Sequence, residues 1–287
     1  MNNYHTHTYR CGHAVGSEED MVLSAIKLGI KELEFSEHVP LPHYRRFLLK
    51  SLIHSLTDLH SILSCIKSIV LNGPGMRMPY QTRFEHEKIV KDLKSKYAHQ
   101  IKIYQGYECE YFKEYIPYYK KLLDNHEVDY LILGNHFDKY PIHKYYYGKN
   151  NLSDKMLQDY RDDVINAIHT GLFSYIAHPD LFLLGRKSFD NLCKEITYDI
   201  CKEAKKYNIP LEINAGGIRK GLTKMDGKDV YPYTNDYFYQ IASKIGNDII
   251  FGIDAHHPDH FHLDIIKQLY AFAQKNNLHI INKIEPK

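Results

Sequence analysis

Short apolar runs that break off in a histidine or a carboxylate recur along the whole 287-residue chain, separated by stretches of helical periodicity. Asn3 to Thr8 reads as a first strand. Ser17-Glu18-Glu19-Asp20 supplies an N-cap and an acidic first turn for a helix that places Met21, Val22, Ala25 and Ile26 on one face, with Gly29 positioned to end it. A second strand, Glu32 to Phe35, runs into Ser36-Glu37-His38. The pattern then repeats: Ile101 to Gly106 runs into Tyr107-Glu108-Cys109-Glu110, Val128 to Gly134 into Asn135-His136, and Phe173 to Ala177 into His178-Pro179-Asp180. Ile209 to Ile213 stops at Asn214, and Ile249 to Ile253 at Asp254-Ala255-His256. Helical stretches such as Phe189 to Tyr207 and Asp264 to Gln274 lie between them. About seven strand-helix units without a long structureless gap predict one α/β domain over 1–287 with a parallel barrel. In such barrels the C-terminal strand ends carry the active site, so these terminal residues are expected to converge.

One interval departs from the rhythm. Residues 39–97 are too long for a simple connection, and Leu52, Leu56, Leu59, Leu63, Ile66 and Val70 form a heptad-like stripe within them. They predict a helical excursion whose stripe is buried against the domain rather than offered to a partner. Asn72-Gly73-Pro74-Gly75 is expected to close the first helix, and a second to run from near Phe84 to Tyr97.

Composition narrows the function. A chain that is 44% hydrophobic can bury a large core, and 37 basic against 35 acidic residues leave a net charge of +2, which gives nucleic acid no general electrostatic footing. His5 and His7 fall where a signal peptide is apolar, and no run approaches membrane-spanning length, so a cytoplasmic protein without membrane contact is expected. The five cysteines, Cys11, Cys65, Cys109, Cys193 and Cys201, include no Cys-x-x-Cys pair and read as reduced, packed thiols. Neither a phosphate-binding Gly-x-x-x-x-Gly-Lys loop nor a Gly-x-Ser-x-Gly elbow is present.

The chemistry lies in the strand ends. Two imidazoles at i and i+2, as in His5-Thr6-His7, share one face of a strand and can begin a metal site. Taken in order, His5, His7, His13, His38, Glu108, His136, His178, Asp254 and His256 bring seven imidazoles and two carboxylates but no thiolate, a set suited to zinc, iron or manganese. His-Thr-His, Cys-Gly-His, Ser-Glu-His, Gly-Tyr-Glu, Asn-His, Ala-His-Pro and Asp-Ala-His in this order resemble the polymerase-and-histidinol-phosphatase (PHP) family of metal-dependent phosphoesterases. The Gly106 to Tyr111 run, Leu211-Glu212-Ile213-Asn214 and Gly217-Ile218-Arg219-Lys220-Gly221 look most like its histidinol-phosphate phosphatase branch. The resemblance implies a distorted (β/α)7 TIM-like barrel and two or three divalent ions. A first ion falls to His5, His7, Glu108 and Asp254; Glu108 bridges to a second held by His136 and His178; His13, His38 and His256 hold a third. It also implies hydrolysis of L-histidinol phosphate, with Glu108, Asp254 and His256 catalytic. The alternatives within the superfamily are another phosphomonoester, phosphotyrosine or nucleic acid, and outside catalysis a metal-binding module.

Two carboxylates cannot neutralise three divalent ions, so a phosphate group on a small metabolite is the natural ligand. Arg219, Lys220 and Arg186 are the candidates to clamp it, arginine because its planar fork binds phosphate bidentately at any working pH. Asn214-Ala215-Gly216-Gly217 lacks the hydroxyls that many relatives of this branch carry there. Several features invite over-reading. His257, His260 and His262 lack the strand-end position, Tyr145-Tyr146-Tyr147 between Lys144 and Lys149 reflects a tyrosine-rich composition, and Cys11 and Cys109 are packing residues. Glu110, two residues beyond Glu108 on the same face, is expected to support the site from behind.

Overall fold

The computed structural model describes residues 1–54, 56, 58–70, 76–150 and 152–284. Helix α1 (Glu18–Leu28) opens with a reciprocal cap between Ser17 and Asp20 and stops at Gly29, whose φ of 82° lies in the left-handed region. Strand β1 (Glu32–His38) follows, then α2 (Tyr44–His54), α3 (Leu59–Val70) and α4 (Arg83–Lys96). Next come β2 (Lys102–Cys109), α5 (Ile116–Asp124), β3 (Tyr130–Leu133), α6 (Asp154–Thr170), β4 (Phe173–Ile176), α7 (Asn191–Lys206), β5 (Leu211–Asn214) and the short α8 (Ala215–Arg219). A hairpin of β6 (Thr223–Met225) and β7 (Lys228–Val230) precedes α9 (Asp236–Ile245), β8 (Asp248–Gly252), α10 (Leu263–Lys275) and β9 (His279–Ile280).

The main sheet runs β1-β2-β3-β4-β5-β8-β9, and every pairing in it is parallel. Its two sides are joined by the N-terminal segment. Asn3 exchanges backbone hydrogen bonds with Glu32 and Glu34, Ser36 N donates to Thr6 O, and His7 N donates to Ala255 O. The expected first strand is therefore an extended segment held by isolated bridges to β1 on one side and to the chain just after β8 on the other. It curls the sheet into a distorted barrel.

Apolar side chains outside the barrel lock the helices to the sheet, as in Met21, Val22 and Ala25 of α1 packing with Leu33, Phe35 and Ile103. The barrel interior is aromatic at depth: Tyr4, Tyr104, Tyr130 and Tyr175 cluster there with Ile132, Ala177 and Ile250. Their hydroxyls need partners. Tyr4 and Tyr104 donate to Glu32, and Tyr175 donates to the carbonyl of Tyr4 at 2.8 Å. All five cysteines are free and buried.

Two parts of the chain differ from the sequence reading. The excursion is broken at Asp58, whose carboxylate caps α3 by accepting from His60 N and from the Ser61 hydroxyl, so the heptad stripe is split between two helices. The stripe is not buried. Leu56, Leu59, Leu63 and Val70 are each more than half exposed, because α3 packs through Ser61 and Cys65 against Ser51 and the turn at Lys144. The expected stop at Asn72-Gly73-Pro74-Gly75 lies outside the described residues. The β6–β7 hairpin was not anticipated either, although Asp226-Gly227, both at positive φ, is a strong hairpin signal.

Glu18, buried at the start of α1, accepts from Arg10 Nε at 2.5 Å and faces His86 Nδ1 of α4 at 2.8 Å. Burial pushes its carboxyl up, but His86 and Arg10 outweigh that and hold it at about 2 instead of 4.5. A carboxyl depressed on folding stabilises the native state above its unfolded pKa, and that contribution disappears as pH falls through its folded pKa. Glu18→Gln is thus expected to cost about 2 kcal/mol at pH 6. In urea denaturation the gap between variant and parent should close between pH 4.5 and about 2; a gap independent of pH would refute the ion pair.

Candidate metal centre

Parallel register brings the first donors together, since His38 at the end of β1 is the partner of Glu108 in β2. Glu108 has room because Gly134, the residue that follows β3, faces it: a Cβ there would lie 1.8 Å from Glu108 Oε1. From this position one carboxylate meets five imidazoles. Oε1 is 2.8 Å from His178 Nε2 and 3.5 Å from His136 Nε2; Oε2 is 3.0 Å from His38 Nδ1 and 3.5 Å from Nε2 of both His5 and His7.

Four of these donors enclose a single point. His5 Nε2 lies 3.2 Å from His7 Nε2 and 3.5 Å from Asp254 Oδ1, and His7 Nε2 lies 3.4 Å from Asp254 Oδ1. With the two distances to Glu108 Oε2, five of the six edges of the His5-His7-Glu108-Asp254 tetrahedron are defined. Ligand bonds of about 2.1 Å in tetrahedral geometry place donors about 3.4 Å apart, so these edges fit an ion of zinc's size. Two further groups could hold ions: Glu108 with His136 and His178, and His13 with His38 and His256. In the last, the Nδ1 atoms of His13 and His256 each lie 3.1 Å from a backbone carbonyl, of Cys11 and Asp254. Donation to those carbonyls leaves two Nε2 lone pairs facing each other across 2.9 Å, an arrangement that calls for a cation between them.

The electrostatics agree. Burial alone raises a carboxyl, yet His136, His5 and His38 hold Glu108 well below the usual range, and His5 and His256 do the same for Asp254. Burial and the neighbouring His256 and His38 push His7 down, while on His5 the carboxylates of Glu212, Asp254 and Glu108 overcome burial and raise it. Glu108 Oε2 and Nδ1 of His7, His38, His136 and His178 are buried without a well-aligned hydrogen bond, even though His38 Nδ1 lies 3.0 Å from Glu108 Oε2. Such a site is under-supplied with positive charge.

Eight of the nine candidate ligands thus line one cavity, and the ninth, His5, is fully buried beside it with its Nε2 3.2 Å from His7 Nε2. The three cations do not converge there. Lys220 lines the cavity, which has a volume of about 220 Å³, together with Met76, Tyr146, Leu181, Leu184 and Tyr233. Arg219 instead directs Nη1 and Nη2 to the carbonyls of Ile253 and Asp254, at 2.6 and 2.7 Å, bracing Asp254 in its left-handed conformation (φ 52°). Arg186 pairs with Asp190, the N-cap of α7. Glu110 binds Arg77 through both oxygens, at 2.7 and 3.2 Å, and lies 3.8 Å from His136 Nδ1.

His257 and His262 act as N-caps, and His260 Nδ1 accepts from His256 N. Tyr147 is core, donating to Asp163 at 2.7 Å, whereas Tyr146 of the same triplet walls the cavity. Two carboxylates went unrecognised as site residues. Glu37 accepts from Thr8 N and its hydroxyl, and Glu212 faces His5. The available signal was an acid inside each short, otherwise uncharged run, Phe-Ser-Glu-His and Leu-Glu-Ile-Asn.

Imidazoles and carboxylates converging at the C-terminal ends of a curled parallel sheet define a metal-binding α/β barrel. The chain belongs to the PHP domain family, whose model matches residues 3–216. It is 24% identical over 262 residues to a protein of Deinococcus radiodurans named "Probable histidinol-phosphatase", covering 88% of this chain and 85% of that one. A Schizosaccharomyces pombe protein of the same name is 25% identical over 274 residues, covering 88% and 80%. Among solved structures, histidinol phosphate phosphatase from Lactococcus lactis, complexed with zinc, L-histidinol and phosphate, has a TM-score of 0.66 at 16% identity, covering 99% of this chain and 96% of that one. A Listeria monocytogenes protein provisionally assigned as histidinol phosphatase has a TM-score of 0.68 at 21% identity, covering 91% and 97%.

Glu108→Gln should lower bound metal by at least one ion per chain in elemental analysis while the fold survives. Glu110→Gln should keep its metal but lose stability, of the order of 3 kcal/mol, because Arg77 loses its buried counter-charge. The reverse pattern would exchange the two assignments.

Proposed function

We propose that this chain is a metal-dependent phosphatase that hydrolyses L-histidinol phosphate to L-histidinol and phosphate. The observation that carries the reading is the near-tetrahedral set of His5, His7, Glu108 and Asp254 donors, which the Glu108 carboxylate connects to His136 and His178. The names of the relatives in D. radiodurans and S. pombe, and the ligands of the L. lactis structure, support the particular substrate.

His5, His7, Glu108 and Asp254 would hold a first ion, Glu108, His136 and His178 a second, and His13, His38 and His256 a third. Zinc, iron or manganese bound there would supply Lewis acidity to the phosphate and lower the pKa of water. The protein's own part is positional. Glu108 and Asp254 fix the ligands from the closed side of the cavity, and Lys220 adds a cation beside the phosphate. Tyr146, Tyr233, Met76, Leu181 and Leu184 give the leaving group a largely apolar wall of a size for a small metabolite. His256, at the more exposed rim, would offer Nε2 to the third ion while its Nδ1 stays 3.1 Å from the Asp254 carbonyl. Arg219 and Arg186 are proposed to serve phosphate binding indirectly, by supporting the loops that carry Asp254 and the turn after His178. Among the described residues no helix is long and apolar enough to cross a membrane.

Chelation should abolish release of phosphate from L-histidinol phosphate, and added zinc, manganese or iron(II) should restore it. Lys220→Ala should raise KM by about tenfold, the worth of one hydrogen bond to a charged group, with metal content unchanged. A fully metallated chain that turns over other phosphomonoesters but not this one would remove the substrate assignment and leave the phosphatase.

A further inference from the structure

Glu212 is fully buried in β5 and is not among the nine candidate ligands, yet two of those ligands depend on it. Its Oε1 lies 2.8 Å from His5 Nδ1, and its Oε2 accepts from His178 N at 2.9 Å and from Asn214 Nδ2 at 2.8 Å. The space for this carboxylate exists because β8 carries Gly252, where a Cβ would fall 1.7 Å from Oε1. The Glu212 carbonyl is itself held by the Tyr239 hydroxyl.

The backbone N–H of His178 and the side-chain NH2 of Asn214 can only donate. A carboxylate offers acceptors on both oxygens, so its second oxygen is free to accept from His5 Nδ1–H, which leaves the His5 Nε2 lone pair aimed at His7, Glu108 and Asp254. An amide of the same shape has one acceptor and one donor. With its oxygen turned to His178 and Asn214, its NH2 faces His5 Nδ1 and favours the other tautomer, in which Nε2 carries the proton and cannot ligate. Turned the other way, the NH2 opposes two donors and pushes on His178, whose backbone is already in a left-handed conformation (φ 31°) and whose Nε2 sits 2.8 Å from Glu108 Oε1.

We propose that Glu212 is a positioning residue that sets the tautomer of His5 and the backbone of His178 together, and so couples loading of the ion at His5 and His7 to loading of the ion at His136 and His178. The inference rests on the proposed reading of the cavity as a divalent metal centre.

The test uses the full-length chain, stripped of metal and titrated with cobalt(II), reading stoichiometry from the visible absorption and elemental analysis. Glu212→Gln should weaken both of these sites in parallel, by about 10- to 100-fold, while the metal-free thermal midpoint stays within a few degrees of the parent's. Nitrogen-15 histidine spectra of the zinc-loaded parent should show His5 protonated at Nδ1, and the variant should lose that signal. Where Glu212→Gln does not fold, Gly252→Ala, which keeps the carboxylate but displaces it, should produce the same parallel weakening. Parent-like cobalt affinity in the folded variant, weakening of one site alone, or a parent His5 protonated at Nε2 each overturns the proposal. A parent that binds no cobalt overturns instead the reading of the metal centre itself.

Discussion

Everything at the top of this barrel depends on burying the Glu108 carboxylate among imidazoles. A lone buried carboxylate is costly, and five histidine nitrogens within 3.5 Å of it are only partial compensation, because an imidazole that is to bind a cation keeps one lone pair and offers a single N–H. The lone pairs point inward, and the protein holds them there by engaging the other nitrogen elsewhere, at Glu212 for His5 and at backbone carbonyls for His13 and His256. The centre is therefore pre-organised for cations.

Below it the interior changes character. The tyrosine cluster around Tyr4, Tyr104, Tyr130 and Tyr175 fills the barrel with large, rigid side chains and provides the stiff floor on which the ligand-bearing strand ends rest. The two layers answer to different sequence rules. Aromatic packing tolerates substitution of shape for shape, whereas Glu108 and Glu212 each need a glycine beside them, Gly134 and Gly252.

The alternation of apolar runs and helical stretches was enough to read the barrel, because each strand is short, buried and punctuated. The same punctuation revealed the ligands: a histidine or acid where an apolar run stops has few reasons to be there. What stayed hidden depends on contacts between residues far apart in the chain. Nothing local in Leu211-Glu212-Ile213-Asn214 says that Glu212 meets His5, and a basic residue after a strand looks the same whether it turns to a phosphate, as is proposed for Lys220, or to a carbonyl, as Arg219 does. The stripe from Leu52 to Val70 misled for a local reason, since Asp58 resets the helical phase in its middle.

The closing segment has a consequence for how the protein folds. The residues around His5 and His7 pair with β1 across some 30 positions, but their other edge is held where Asn3 Oδ1 accepts from Ile253 N and His7 N reaches Ala255 O, contacts spanning some 250 positions. Pairing across so long a loop is entropically expensive and slow to form. Because Asp254 lies between those two contacts, barrel closure and completion of the His5-His7-Glu108-Asp254 set are the same late event in folding.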